Sequence, residues 1–273
     1  MSELERINPQ SIRDTRPETT SEQFPASADI EAIAEQKRAL WNEDLDRAVG
    51  CRFKDATFET YDRSVQPKAY ERAREFVEGY FSGAGPLALV LCSKTPGLGK
   101  SHLFASIARV MMARSEAARW ERYSAGEATY GLPYIRGLPS PVFYVNETEL
   151  LSMVRATYKD ACQDDELHLF ARLNRYPLLI VDDVGKTAKL DQDSGRVIAT
   201  PATQTVYYRL VEYRWANCKH IAIAANLMGR ELDYYFGAPL ASRLLQMTQG
   251  RYFIEMTGED YRIRGIQAQK EGK

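Results

Sequence analysis

Long hydrophobic runs are missing from this sequence: no apolar stretch in its 273 residues approaches the ~18 residues that a membrane-spanning helix needs. The opening residues are polar and charged, with neither a basic start nor an apolar core segment, so no secretory signal is expected there. Cysteine is scarce. Cys51, Cys92, Cys162 and Cys218 stand far apart and make no C-x-x-C pair, which argues against a zinc finger and against a disulfide framework. A reducing cytoplasmic setting is expected. The three histidines, His102, His168 and His220, follow no metal-ligand spacing. An excess of charge is lacking too. With 36 basic and 37 acidic residues the net charge is -1, so whole-chain electrostatics will not draw the protein to nucleic acid. Any such contact needs a local patch, repeated around an assembly.

What is present is ordinary for a soluble globular protein, with 44% hydrophobic and 11% aromatic residues. The length suits one large α/β domain with a small N-terminal appendage. Residues 1–28, rich in Ser, Thr, Glu, Arg and Pro, read as a flexible arm. In residues 29–52 the pattern changes. Ile30, Ile33, Ala34, Leu40, Trp41, Leu45 and Ala48 fall close to helical spacing, and Asp29 suits an N-cap, predicting a helix over 29–49. Its apolar stripe is far in sequence from the main core, so it either packs on its own domain or docks a partner.

Residues 53–273 alternate between helical stretches and short, almost wholly apolar runs. Strands are expected at 87–92, 142–145, 178–181, 220–225 and 252–256, and helices at 67–81, 101–119, 147–161 and 203–216. Strands apolar on both faces suit a parallel sheet covered by helices on both sides. Residues 123–140 and 186–202 read as insertions.

The first predicted strand runs into SKTPGLGKS, residues 93–101, and then a helix. Strand, glycine-containing loop and helix N-terminus together make a phosphate cradle of backbone N–H groups. Thr95, Pro96, Gly97, Leu98, Gly99, Lys100, Ser101 and His102 would line it. Lys100 would reach the β- and γ-phosphates of ATP, and the Ser101 hydroxyl would ligate Mg²⁺. The pattern G-x-x-x-x-G-K-[ST] is broken at its first position by Lys94. The third strand ends in Asp182 and Asp183, carboxylates at the sheet edge where α/β proteins bind ligands. Asp182 is the candidate for Mg²⁺ and Asp183 for polarising an attacking water. The fourth strand delivers Asn226 to the same edge, suited to orienting that water or simply to a turn. Arg243, flanked by apolar residues, either pairs with an internal carboxylate or reaches a neighbouring subunit's γ-phosphate.

Several stretches in order resemble the DnaC/IstB branch of the AAA+ ATPases: ATFETY (56–61), PGLGKSHL (96–103), VFYVNETELL (142–151), LLIVDDVG (178–185), YYRLVEYRW (207–215), HIAIAANL (220–227), ASRL (241–244) and GEDYR (258–262). The resemblance implies a P-loop fold with a five-stranded parallel sheet, a truncated or absent helical lid, and ATP hydrolysis at subunit interfaces of a ring or spiral. It assigns Lys100 and Ser101 to Walker A, Asp182 and Asp183 to Walker B, Asn226 to sensor 1 and Arg243 to the arginine finger. Phe58 and Tyr61 would contribute to an adenine pocket, and Arg214 would be a second interface arginine. It also implies that residues 150–159 line a DNA channel, where Arg155, Tyr158 and Lys159 offer cations beside an aromatic, as single strands prefer. Lys186 and Lys189 are weaker candidates. The partner would be a replicative helicase or, in the alternative, a transposase on duplex DNA. The small N-terminal region, without a helix-turn-helix or zinc pattern, favours the helicase loader.

Overall fold

The structure, a computed structural model, describes residues 27–124, 140–158, 165–186, 188–192, 195–261 and 263. Most of the expected arm, most of the first insertion, Lys159 and Arg262 lie outside the described residues, as does any lid that follows them. The chain begins with α1 (Ser27–Val49) and α2 (Pro67–Ser82), then β1 (Ala88–Cys92) and α3 (Lys100–Ser124). Next come β2 (Val142–Asn146), α4 (Glu147–Ala156), α5 (Glu166–Arg175) and β3 (Leu178–Val184). Two short strands, β4 (Lys189–Leu190) and β5 (Val197–Ile198), pair antiparallel within the second insertion. The chain continues through α6 (Pro201–Ala216), β6 (His220–Ala225), α7 (Gly229–Phe236), α8 (Ala238–Met247) and β7 (Phe253–Glu255).

The five longer-range strands form one parallel sheet in the order β2-β3-β6-β1-β7. Their side chains divide by the two-residue strand period. Leu89, Leu91, Leu178, Ile180, Ala222 and Ala224 join one core with α1, α2 and α3. Ala88, Val90, Leu179, Val181, Ile221 and Ile223 join a second core with α4 to α8. Burial on both faces is why these strands read as continuous apolar runs. The carboxyl ends of β1, β3 and β6 lie side by side, so the loop after β1 and the acids ending β3 meet at one edge. No described helix is long and apolar enough to cross a membrane.

The first helix starts at Ser27, two residues before the expected cap, so Asp29 lies inside its first turn. Its stripe is distant in sequence but not in space. Trp41 and Leu45 are buried in the first core, whereas Leu40 is half exposed. Arg109 of α3 fastens the join: its guanidinium donates to Asp46 Oδ1 at 2.6 Å, Asn42 Oδ1 at 3.1 Å and Ala56 O at 3.2 Å. The second half of α1 therefore packs on its own domain. Removing the Trp41 indole leaves a cavity against α3, and large-to-small core changes of this kind cost about 3–5 kcal/mol. Trp41→Ala is expected to lower the unfolding free energy by that amount, read by circular dichroism as a lower midpoint of chemical denaturation at unchanged m; an unchanged midpoint means α1 does not dock.

Candidate nucleotide-binding site

The loop between β1 and α3 is held from three sides. Ser93 N donates to Ala225 O of β6 at 3.0 Å, and Met256 N, just past β7, donates to Cys92 O at 2.8 Å. Leu98 is buried, and its carbonyl accepts from Tyr61 Oη at 3.3 Å. Two of the loop's glycines are dictated by geometry. Gly97 (φ 71°) and Gly99 (φ 88°) are both left-handed, a conformation that glycine adopts without steric cost. A Cβ on Gly99 would stand 2.6 Å from the Tyr61 ring, and one on Gly97 would stand 1.7 Å from Asp260 Oδ1. Lys94 is absent from the left-handed residues. The first position of the loop therefore makes no demand for glycine, and Lys94 instead reaches Glu231 Oε1 at 2.7 Å. Glu231 in turn accepts from Met228 N at the start of α7.

Lys100 and Ser101 open α3, at the helix end that attracts anions. The Lys100 ammonium is largely buried and donates to Ser93 O at 3.4 Å. His102 does not point into the cradle. Its Nε2 meets Thr57 O at 2.9 Å and Thr60 Oγ1 at 3.2 Å, and its ring stands edge-on to Tyr61. The 56–61 segment is thereby tied to the start of α3, with Phe58 and Tyr61 both buried and packed on Tyr70.

The acids of β3 sit in a bulge. Val181 pairs with Ile223 and Val184 with Ala225, so Asp182 and Asp183 together oppose a single position of β6. Asp182 still follows the alternation, on the face of Leu178 and Ile180 and in register with Asn146 of β2, so the extra residue re-aims Asp183. Asp182 turns inward. It accepts from Tyr144 Oη of β2 at 2.5 Å and from Asp183 N at 2.7 Å, and the Ser101 side chain lies beside it. Burial nevertheless holds its carboxyl above the usual carboxylate range, because removal from water disfavours the charged form. The Tyr144 phenol is pushed well above its ordinary value, first by burial and then by Asp182. Asp183 takes a left-handed turn (φ 57°) and faces outward, accepting from Asn226 Nδ2 at 3.3 Å and Lys186 Nζ at 3.2 Å. Asn226 also donates its backbone N–H to Val184 O at 2.8 Å.

Loop, Ser101, Asp182, Asp183 and Asn226 thus converge on one sheet edge. The remaining candidates stand apart. Arg243 of α8 makes a forked contact with Glu212 of α6, both N–O distances 3.2 Å, and lies 3.6 Å over the Trp215 ring. Arg214 is fully buried and donates to the carbonyls of Leu173, Tyr176, Pro177 and His220. Burial lowers its pKa to about 9. It is a clamp inside the domain and has no surface to offer a neighbour, which corrects the second-interface expectation. Arg155 and Tyr158 are exposed on and just after α4. Tyr144, Glu231 and Asp260 were not singled out in the sequence: Tyr144 sits in an apolar run, Glu231 in the first turn of α7, and Asp260 in the GEDYR stretch, where nothing local points it at the loop.

The raised pKa of Asp182 has a consequence for stability. A carboxyl whose folded pKa lies above its unfolded one stabilises the fold fully below the ordinary pKa, and loses that contribution as pH rises through the raised value. Ionised Asp182 is therefore a burden at neutral pH. Asp182→Asn is expected to raise the melting temperature of the nucleotide-free protein by a few degrees at pH 7, with the difference shrinking towards about pH 4. A lower melting temperature at pH 7 contradicts the account.

No protein-family model matches this chain, and no curated protein matches it. Solved structures do. A replication initiator DnaA bound to AMPPCP and single-stranded DNA shares 18% identity over 80% of this chain and 55% of its own, with a TM-score of 0.51. AMPPCP-bound DnaA from Aquifex aeolicus shares 17% over 80% of this chain and 55% of its own, with a TM-score of 0.52. The DnaC helicase loader shares 17% over 76% of this chain and 98% of its own, with a TM-score of 0.50. The chain spans just over half the length of the DnaA structures. At such identities the likeness is one of fold: this chain shares the fold of these DnaA and DnaC structures, with its five-stranded parallel sheet flanked by helices.

Proposed function

We propose that this protein is an ATPase that loads a replicative hexameric helicase onto single-stranded DNA in the cytoplasm. The observation that carries the ATPase reading is the convergence of Ser101 and Asp182 at one sheet edge, beside the left-handed glycines of a phosphate loop. A hydroxyl and one carboxylate suit Mg²⁺, a hard cation that prefers oxygen ligands and takes the rest from phosphates and water. Bound there, Mg²⁺ would neutralise charge on the β- and γ-phosphates. Lys100 holds the triphosphate, Asp183 draws a proton from the attacking water, and Asn226 fixes the water and Asp183 together. Tyr61, set against the loop at Gly99 and Leu98, and Phe58 would form the wall of an adenine pocket. Arg243 acts on a neighbouring subunit's nucleotide, exchanging Glu212 for the γ-phosphate in an assembled ring or spiral.

The loader reading is supported by the fold likeness to the DnaC helicase loader along nearly its whole length. The likeness to a DnaA bound to single-stranded DNA supports the choice of strand. Exposed Arg155 and Tyr158 join Lys159 as the DNA contact, by phosphate pairing and base stacking. The N-terminal residues 1–52 grip the helicase, with α1 offering the exposed flank that carries Leu40, beside the docked Trp41.

Lys100→Ala is expected to abolish binding of a fluorescent ATP analogue; retained affinity sinks the phosphate-loop assignment. Arg243→Ala is expected to keep that affinity and lose DNA- or partner-stimulated turnover, and unchanged turnover places the finger elsewhere. Co-purification from the native host with ATP present tests the partner. A hexameric helicase in the eluate upholds the loader, and a transposase moves the protein to the transposition class.

A further inference from the structure

Glu147, the first residue of α4, is completely buried. Its Oε1 accepts from Tyr207 Oη of α6 and Tyr235 Oη of α7, both at 2.8 Å. Its Oε2 accepts from Gly185 N at 2.9 Å. A buried carboxylate is costly unless its acceptor sites are well filled, so its presence in a domain core needs a reason. Four elements meet on this one group: the start of α4, the middle of α6, the end of α7 and the turn after β3.

That turn carries Asp183. A left-handed non-glycine residue costs about 1–2 kcal/mol and persists only where its surroundings hold it. Here the turn is closed by Lys186 N on Asp183 O at 3.2 Å. Asn226 holds one flank, through its backbone to Val184 and its side chain to Asp183. Gly185 holds the other. It is left-handed (φ 84°), its missing Cβ would lie 2.5 Å from Leu227 Cγ, and its N–H ends on Glu147. The tyrosines fix the carboxylate in turn. Burial first, and then Glu147, keeps the Tyr207 phenol well above its ordinary pKa and so a donor.

We propose that Glu147 is a positioning residue for ATP hydrolysis: by anchoring Gly185 N it locks the left-handed turn that aims the Asp183 carboxylate at the lytic water. Glu147 does not touch the nucleotide, and its effect falls on turnover alone. The inference rests on the ATPase reading above.

The test compares wild type, Glu147→Gln and the Tyr207→Phe Tyr235→Phe pair. Affinity is read with a fluorescent ATP analogue, turnover as kcat for ATP, and the turn by hydrogen exchange at the Gly185 amide. In Glu147→Gln the affinity is expected to hold within about twofold while kcat falls about tenfold or more, as for small misplacements of a reacting group. Gly185 exchange should quicken. The paired tyrosine variant keeps the carboxylate but frees it, and is expected to lose kcat in the same turnover-only manner; it carries the test if Glu147→Gln does not fold. Wild-type kcat in either folded variant overturns the proposal, and so does a loss of affinity in step with kcat, which marks a structural role. A wild-type protein that neither binds the analogue nor hydrolyses ATP overturns the ATPase reading itself, and is told apart by that control.

Discussion

Two residues of β3 stand opposite one position of β6, and the arrangement of the site follows from that mismatch. In an unbroken strand Asp182 and Asp183 would point to opposite faces of the sheet, one into each apolar core. The bulge leaves Asp182 on the face of Leu178 and Ile180, in register with Asn146 of β2, and takes only Asp183 out of the alternation. Asp182 then lies at the edge against Tyr144 and Ser101, and Asp183 swings outward to Asn226 and Lys186. One acid is buried, with its carboxyl held above the usual range, and its neighbour is half exposed. Two adjacent carboxylates thus receive different environments, suiting one to a cation and the other to water.

The surrounding contacts keep this geometry from relaxing. β1 and β6 fix the phosphate loop through Ser93 and Ala225, and the chain after β7 reaches back through Met256 to Cys92. Gly97 and Gly99 are left-handed, and a Cβ there would displace the Asp260 carboxylate or meet the Tyr61 ring. The loop is therefore shaped from outside, by the segment before the sheet and the segment after it, as much as by its own glycines. This also accounts for Lys94: its backbone is not left-handed, and its ammonium finds Glu231 in the solvent-facing layer.

The sheet and the candidate site at its edge were legible in the sequence because they depend on local pattern. Double-sided burial writes itself as apolar runs, and the phosphate loop and the terminal acids of β3 have fixed spacing. What the sequence left open depends on partners far along the chain. The stripe containing Trp41 and Leu45 would look the same whether it met α3 or another protein, and Arg109, which decides the matter, is one arginine among many. Arg214 and Arg243 both stand between apolar neighbours. Only the fold separates the first, sealed among four carbonyls, from the second, stacked on Trp215 within reach of solvent. Glu147 is the clearest omission: an acid after a strand reads as a solvated helix cap, and nothing local announces two tyrosines sixty and more positions away.

The central claim is that the bulge presents Asp183, and not Asp182, to the water that attacks ATP. Single-turnover hydrolysis of ATP by Asp183→Asn, at saturating Mg²⁺ and with nucleotide affinity measured on the same sample, tests it most directly. The account predicts wild-type affinity with hydrolysis slowed by about a hundredfold or more, in the range lost with a general base. Hydrolysis at the wild-type rate, or a loss of affinity equal to the loss of rate, would contradict it.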